Sequence, residues 1–475
     1  MDSKKIISGV KWAGIQFAFD TIFRFAIRLI LAKLLLPEDF GLVAMCTIFI
    51  SIAEAVSELG MGAALIQRKS SEEAEAMYST AFWSGLVWGV IIYLLVCFVV
   101  GPFAAYFYDE NMLLKLVPVL SLGVLLKPLV LIHVVKLTRA LQFKKMAKIY
   151  NLSALLAGIL GISAAYMGFG VWSLAVHQVL SVAITIPLLY RSTTWSPKGQ
   201  WSCNQFKSVF GFGAYSTGTN VFSRLTYNID NLMIGKMLGA GLLGSYTLSF
   251  SLTEYLRQVI SNVLNRVMYP VFSQSQDDKE KLRNYFLKII GINAIIIYPL
   301  MAYLIVFAET IIVDFFGERW AEAVLPLRIL AVAMMVHLLV NSFTSLIRGL
   351  GKPELEMKII ISLTIFILLP ALYIGITYYG LVGASLAILA NKIVLVLVGL
   401  ITLRMQVGLS PYRVISAIKS AIFSVVLAMA PLAALIYFMH FDNIFILTPL
   451  YIALYLAVIY WLEKQLILML LKNLR

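Results

Sequence analysis

Long apolar runs separated by short loops recur from one end of this chain to the other, and that pattern leaves few folds open. A helix needs about 20 mostly apolar residues to cross a bilayer. Such runs are read, to within several residues, at 10–32, 41–66, 77–103, 113–135, 149–167, 170–190, 208–235, 240–273, 286–308, 323–347, 359–377, 381–403, 414–438 and 443–462. Hydrophobic residues make up 61% of the chain and Asp, Glu, Lys and Arg together 13%, where a soluble domain carries about a quarter charged residues. The expectation is an all-α integral membrane protein of about fourteen transmembrane helices. The basic start, Met1 to Lys11, is not followed by a short apolar core with a cleavage site, so no removable signal is expected. Cys46, Cys97 and Cys203 form neither a disulfide framework nor a metal-ligand spacing.

The formal charge of +14 raises the question of nucleic acid, and its distribution answers it. The N-terminus, the even-numbered loops and the C-terminus hold 26 of the 38 Lys and Arg residues, including Lys136, Arg139, Lys144, Lys145 and Lys148. The odd-numbered loops hold five: Lys33, Lys115, Lys236, Arg319 and Arg328. Basic loops stay in the cytoplasm, so the charge reports orientation, with both termini cytoplasmic. Nucleic acid is not an expected partner.

The chain also contains itself twice. Leu31-Ala-Lys-Leu-Leu, ending at Gly41, returns as Ile234-Gly-Lys-Met-Leu, ending at Gly244. Phe107-Tyr-Asp-Glu110 returns as Phe315-Phe-Gly-Glu318, and Leu137-Thr-Arg-Ala-Leu141 as Leu346-Ile-Arg-Gly-Leu350. Tyr166-Met-Gly168 returns as Tyr378-Tyr-Gly380. The offset drifts only from 203 to 212. Six spans per copy keep both copies in one orientation, so the repeat is parallel, about an axis along the membrane normal. The domains read as 1–200, a six-helix lobe; 201–407, its repeat; and 408–475, two extra transmembrane helices. Two such bundles can rock about a central site, the basis of alternating access.

An ionisable residue at mid-membrane costs about 2.5–3.5 kcal/mol on insertion scales, so those inside the spans need a reason. Asp20, Arg24 and Arg28 stand four apart on the first helix, one stripe about 12 Å long that should face the bundle interior or water. Glu54 and Glu58 sit likewise on the second helix. The repeat maps the stripe onto Ser223, Tyr227 and Asn231, beside Arg224 and Asp230, and maps Glu54 onto Arg257, near Glu254. Lys127 and Lys392 add charge in two later spans. The polar lining reads as a hydrated cavity. Arg24, Arg28, Arg224, Tyr227, Asn231 and Arg257 are candidate cargo-binding residues; Asp20, Glu54, Glu58, Asp230 and Glu254 are candidate ion-coupling or gate residues. Packed ion pairs such as Asp20 with Arg24, or Glu254 with Arg257, are the structural alternative. So is pairing of Arg257 within its own bundle rather than with Glu54.

No GxxxxGK[ST] loop, HExxH or GxSxG motif occurs. His133, His177, His337 and His440 are scattered. The reading is therefore a transporter rather than an enzyme, with no cofactor.

Ile7-Ser-Gly-Val-Lys-Trp12, Pro37-Glu-Asp-Phe-Gly-Leu42 and Glu58-Leu-Gly60 with Ala64-Leu-Ile-Gln-Arg-Lys69 carry a family resemblance. So do Leu238-Gly-Ala-Gly-Leu-Leu-Gly244, Asn265-Arg-Val-Met-Tyr-Pro-Val-Phe272 and Phe316-Gly-Glu-Arg-Trp320. Over nearly its whole length the chain resembles bacterial polysaccharide exporters of the Wzx type, in the branch that includes colanic-acid exporters. These belong to the multidrug/oligosaccharidyl-lipid/polysaccharide exporter superfamily. The resemblance implies a V-shaped pair of six-helix lobes plus two helices in the bacterial cytoplasmic (inner) membrane. It implies flipping of an undecaprenyl-diphosphate-linked oligosaccharide for lipopolysaccharide, capsule or exopolysaccharide synthesis. The implied partners are that lipid-linked substrate, membrane lipids, and a polysaccharide polymerase and glycosyltransferases. An ion-coupled small-solute or drug antiporter on the same fold, or a non-transporting scaffold of a synthesis complex, is the alternative.

Overall fold

The computed structural model describes residues 21–58, 61–67, 72–439 and 443–464. Among them there is no strand, as expected where backbone polar groups facing hydrocarbon must be satisfied within their own segment. The helices are α1 (residues 21–34), α2 (Pro37–Glu58), α3 (Met77–Tyr108), α4 (Leu113–Arg139), α5 (Phe143–Tyr166), α6 (Val171–Ser192) and α7 (Cys203–Tyr227). They continue with α8 (Ile229–Gln274), α9 (Lys279–Val306), α10 (Glu318–Gly349), α11 (Pro353–Val407), α12 (Pro411–Ile436) and α13 (Ile444–Leu462). Ten of these are long and apolar enough to cross a membrane. The other three are α1, of which 14 residues are described, and α7 and α8, which carry more polar residues. These three hold all six candidate cargo residues.

Helix α11 is 55 residues long, far more than the roughly 20 a crossing needs. It reverses at Gly380, whose φ of 56° and ψ of −134° lie in a region open essentially to glycine alone. Gly170, which opens α6, has nearly the same geometry, φ 53° and ψ −130°. The sequence pairs Gly168 with Gly380; the backbone pairs Gly170 with it. The first copy spends two more residues in the turn, which residue matching alone does not resolve. Asp109 (φ 60°) and Gly317 (φ 104°) likewise end corresponding helices with positive φ.

The chain divides into two compact units, Met1–Thr247 and Leu248–Arg475. This division falls inside α8, later than the boundary at 200/201 read from the repeat. The reason is that α7 packs on α2, on α3 and on the short helix Met61–Gln67, all in the first unit.

Within the first unit, α5 packs along α6, and α3 along α4. Helix α1 lies so close to α5 that a Cβ on Gly158 would collide with Ile27. A closer approach joins the starts of α2 and of the second segment of α8. The break before α2 at Leu36 corresponds to the break at Gly239. Pro37 and Ala240 then open the two segments. A Cβ on Gly41 would fall onto the Ala240 carbonyl, and one on Gly244 onto the Pro37 carbonyl. Each of the two glycines matched by the repeat thus receives the carbonyl of the residue four positions before the other. That reciprocity is the mark of a local two-fold contact, made through small residues as in close membrane helix pairs. In the second unit α9 packs along α12 and α10 along α11. Arg348 grips Glu356 through two bonds of 2.6 and 2.9 Å.

The surface is apolar where a soluble protein would be polar. Phe98 is 76% exposed and Phe366 72%, a cost in water and none in lipid. Only 22% of the α3 apolar window is buried, against 61% for α2. Helix α3 therefore presents most of its surface to lipid, and α2 is interior, which places Glu54 and Glu58 on an inner helix.

Candidate functional site

In the first unit α1 carries Arg24, which is exposed, and Arg28 one turn on, half-buried. The Arg28 guanidinium lies 5.6 Å from the Phe40 ring centroid. Its Nε is buried and has no hydrogen-bond partner among the described residues. A guanidinium so placed has donor capacity left for an anion, since its planar fork matches phosphate oxygens. Asp20 lies outside the described residues, so its expected pairing with Arg24 is not described.

Helix α2 brings Glu54, half-buried, and Glu58, exposed, to its C-terminal half. Glu58 forms an ion pair with Lys127 of α4. The pair lines a cavity of about 370 Å³ with Ser57, Met61, Tyr150 and Asn220. Lys127 stands out in the sequence as an intramembrane charge; its pairing with Glu58 does not, because only the packing register brings positions so far apart together. Tyr150 carries no such signal and is found only in the structure.

From α7 come Arg224 and Tyr227, both exposed. Asn231 is half-buried at the start of α8, and its backbone N–H donates to Asp230 Oδ1 at 2.8 Å. Asp230 is 5% exposed and accepts the Tyr246 hydroxyl at 2.7 Å on Oδ2. Tyr246 sits beyond the break at Gly239, so this bond braces the two segments of α8 against each other.

The second unit holds its intramembrane arginine differently. Arg257 Nε and Nη2 donate to Glu254 at 2.9 and 2.6 Å, and Nη1 donates to Asn341 Oδ1 at 2.7 Å. Glu254 also accepts from Gln258 at 3.3 Å. This is the pairing of Arg257 within its own bundle that the sequence leaves open beside the Glu54 gate.

Outside the spans, Glu110 sits beside Glu38 and Asp109. Burial, then these two carboxylates, push its pKa above the ordinary value. Asp278 caps α9, accepting from the N–H groups of Glu280 at 3.1 Å and Lys281 at 3.0 Å. Those bonds, the one from Lys281 first, hold its pKa below the ordinary value. No group of three or more His, Cys, Asp or Glu residues that could hold a metal occurs among the described residues.

Bundled helices with apolar outer surfaces and charged residues on inner helices define a multi-pass membrane protein. Residues 30–325 match the family described as polysaccharide biosynthesis protein, and the chain belongs to that family. It is 29% identical over 357 residues to the teichuronic acid biosynthesis protein TuaB of Bacillus subtilis (strain 168), covering 74% of this chain and 73% of the relative. It is 25% identical over 397 residues to the lipopolysaccharide biosynthesis protein WzxC of Escherichia coli (strain K12), covering 82% and 79%. In fold it is similar to a solved structure of the lipid II flippase MurJ in an inward closed conformation. That match has a TM-score of 0.75 at 14% identity and covers 96% of this chain and 99% of the other.

Proposed function

We propose that this protein is a flippase, not an enzyme, that moves an undecaprenyl-diphosphate-linked oligosaccharide across the bacterial cytoplasmic membrane by alternating access. The product would feed synthesis of a cell-surface polysaccharide. Membership of the polysaccharide biosynthesis family supports the cargo class, and the likeness to a lipid-linked-precursor flippase supports the fold's capacity for it. The observation that carries the reading is Arg28, a guanidinium on a membrane-embedded helix with a buried Nε that no described residue satisfies. Burying such a group without an acceptor costs about 1–3 kcal/mol or more, and a diphosphate oxygen offsets that cost.

In this reading Arg24, Arg28 and Arg224 hold the diphosphate, while Tyr227, Asn231 and Asn220 meet the sugars. Arg257 joins them only when Glu254 releases it. Asp20, Glu54, Glu58, Asp230 and Glu254 are the groups available to couple an ion or form a gate. Helix α1, α7 continued by the first segment of α8, the second segment of α8, and the two arms of α11 complete fourteen spans. They form lobes 1–200 and 201–407 plus the helices of 408–475, with both termini cytoplasmic. A polymerase and glycosyltransferases are the expected partners.

Export of a lipid-linked oligosaccharide in cells lacking their own flippase tests the reading. Restored surface polysaccharide is expected. Surface polysaccharide that stays absent, with this protein present in the membrane and the precursor accumulating inside, would overturn it.

A further inference from the structure

The cavity that holds Glu58 and Lys127 in the first unit has an origin in the sequence. Lys127 precedes Pro128, which stands inside α4. A proline in a helix has no N–H for the carbonyl four residues back, and its ring pushes that carbonyl away. On the facing α3, two glycines make room for it. A Cβ on Gly89 would lie 3.1 Å from Pro128 Cγ, and one on Gly85 3.5 Å from Pro128 Cβ. Helix α2, the short helix Met61–Gln67, α5 and α7 supply the other walls. The space they enclose is about 370 Å³, within the range usual for small-molecule sites.

The lining is of two kinds. Met61, Pro128 and Leu131 are apolar; Glu58, Lys127, Tyr150 and Asn220 carry polar groups. Among the described residues Glu58 and Lys127 meet only each other, with side chains 45% and 37% exposed. One carboxylate oxygen and two ammonium N–H groups therefore have capacity to spare. Asn220, exposed on α7, adds an amide that donates and accepts. A hydrocarbon chain in this space would leave all these groups unsatisfied, at a cost. An ion of either sign is attracted by one member of the pair and repelled by the other. A neutral ring with C–H faces and a rim of hydroxyls, each donor and acceptor, suits both kinds of lining, and that is a sugar. Asn220 stands four residues before Arg224 on α7, one helical turn or about 6 Å along the same face. A sugar in the cavity thus stays within reach of a phosphate at Arg224.

We propose that this cavity is a subsite for one neutral sugar of the cargo, with the Glu58–Lys127 pair and Asn220 bonding its hydroxyls. The balanced pair then acts as a charge filter that disfavours acidic sugars. This rests on the flippase reading and assigns Glu58 to cargo selection rather than to a gate.

The test uses the full-length protein in nanodiscs and short-chain prenyl diphosphates, bare or carrying glucose, galactose, N-acetylglucosamine or glucuronic acid. At least one of the three neutral-sugar probes should bind about tenfold tighter than the bare one, and the glucuronyl probe no tighter. Glu58→Gln leaves Lys127 unneutralised and should reverse the order, so that the glucuronyl probe binds tightest. Asn220→Ala, at an exposed position, should cut the neutral sugar's advantage about threefold, and it carries the test if Glu58→Gln fails to fold. Val99→Ala, exposed on α3 and outside the cavity, should leave the advantage whole. Wild type that binds bare and sugar-bearing probes alike, as a cavity holding only water would, overturns the subsite. So does a wild-type preference for the glucuronyl probe, or a sugar preference that neither cavity variant changes. Flipping of a lipid-linked oligosaccharide in liposomes reads the other claim. Sugar preference without flipping keeps the subsite and removes the flippase reading; flipping without sugar preference does the reverse.

Discussion

Arg28 and Arg257 are both guanidinium groups on helices that the sequence reads as spans, and the protein treats them oppositely. Arg257 makes three bonds, two to Glu254 and one to Asn341. Its side chain is 15% exposed and that of Glu254 9%. Arg28 rests against Phe40 with its Nε unsatisfied among the described residues. A saturated cation holds helices together and has little left to offer a ligand. An unsaturated one is costly to keep, and that cost falls when an anion arrives. In the proposed reading the same residue type is structural in one unit and receptive in the other, a distinction set by neighbours rather than by hydropathy.

The largest effect should come from breaking the saturated pair. Arg257→Ala leaves the Glu254 carboxylate buried and uncompensated, which costs about 3–5 kcal/mol. Thermal unfolding in detergent should show that loss, and Arg257→Met combined with Glu254→Met should recover most of it. A single variant as stable as wild type would mean the pair is not structural.

Arg28→Ala should do the reverse. Membrane insertion and melting temperature should hold, while export falls by about tenfold or more, the equivalent of losing a charged hydrogen bond of about 1.5–3 kcal/mol. Arg28→Lys should rescue only in part, since the charge remains and the planar fork does not. Equal destabilisation by Arg28→Ala and Arg257→Ala would erase the distinction.

The reciprocal glycine contact offers a smaller perturbation. Gly41→Ala or Gly244→Ala drives a methyl into a carbonyl of the facing segment, and overpacking of this kind costs about 1–3 kcal/mol. Each variant should melt lower than wild type. Gly123→Ala, where a Cβ would meet nothing within 4 Å, is the control and should not.

The smallest effect lies outside the membrane. The Glu110 carboxyl has its pKa raised in the folded protein, so its favourable contribution is present below the unfolded value and lost as pH rises through the folded one. Glu110→Gln should therefore match wild type in acid and exceed it slightly at neutral pH, as read by melting temperature across pH.

Hydropathy makes the membrane class legible because each crossing must be apolar along its length. The repeat is legible too, since Gly41 and Gly244 match and then prove to meet each other's helix. The repeat pairing at one turn is offset by two residues: Tyr-x-Gly matches Gly168 to Gly380, while the φ and ψ of Gly380 recur at Gly170. The charges of the site were readable as intramembrane costs, and their partners were not. Lys127 reaches Glu58 through the packing of α4 against α2, and Asp230 reaches Tyr246 across a helix break. Neither relation has a period in the sequence.

Titration of the protein in nanodiscs with a short-chain prenyl diphosphate compares the two arginines most directly. Wild type and the Arg257→Met, Glu254→Met double variant should bind alike. Arg28→Ala should bind about tenfold more weakly, with Arg28→Lys between. Binding that survives Arg28→Ala and is lost in the double variant would contradict the account, because the saturated arginine would then be the receptor.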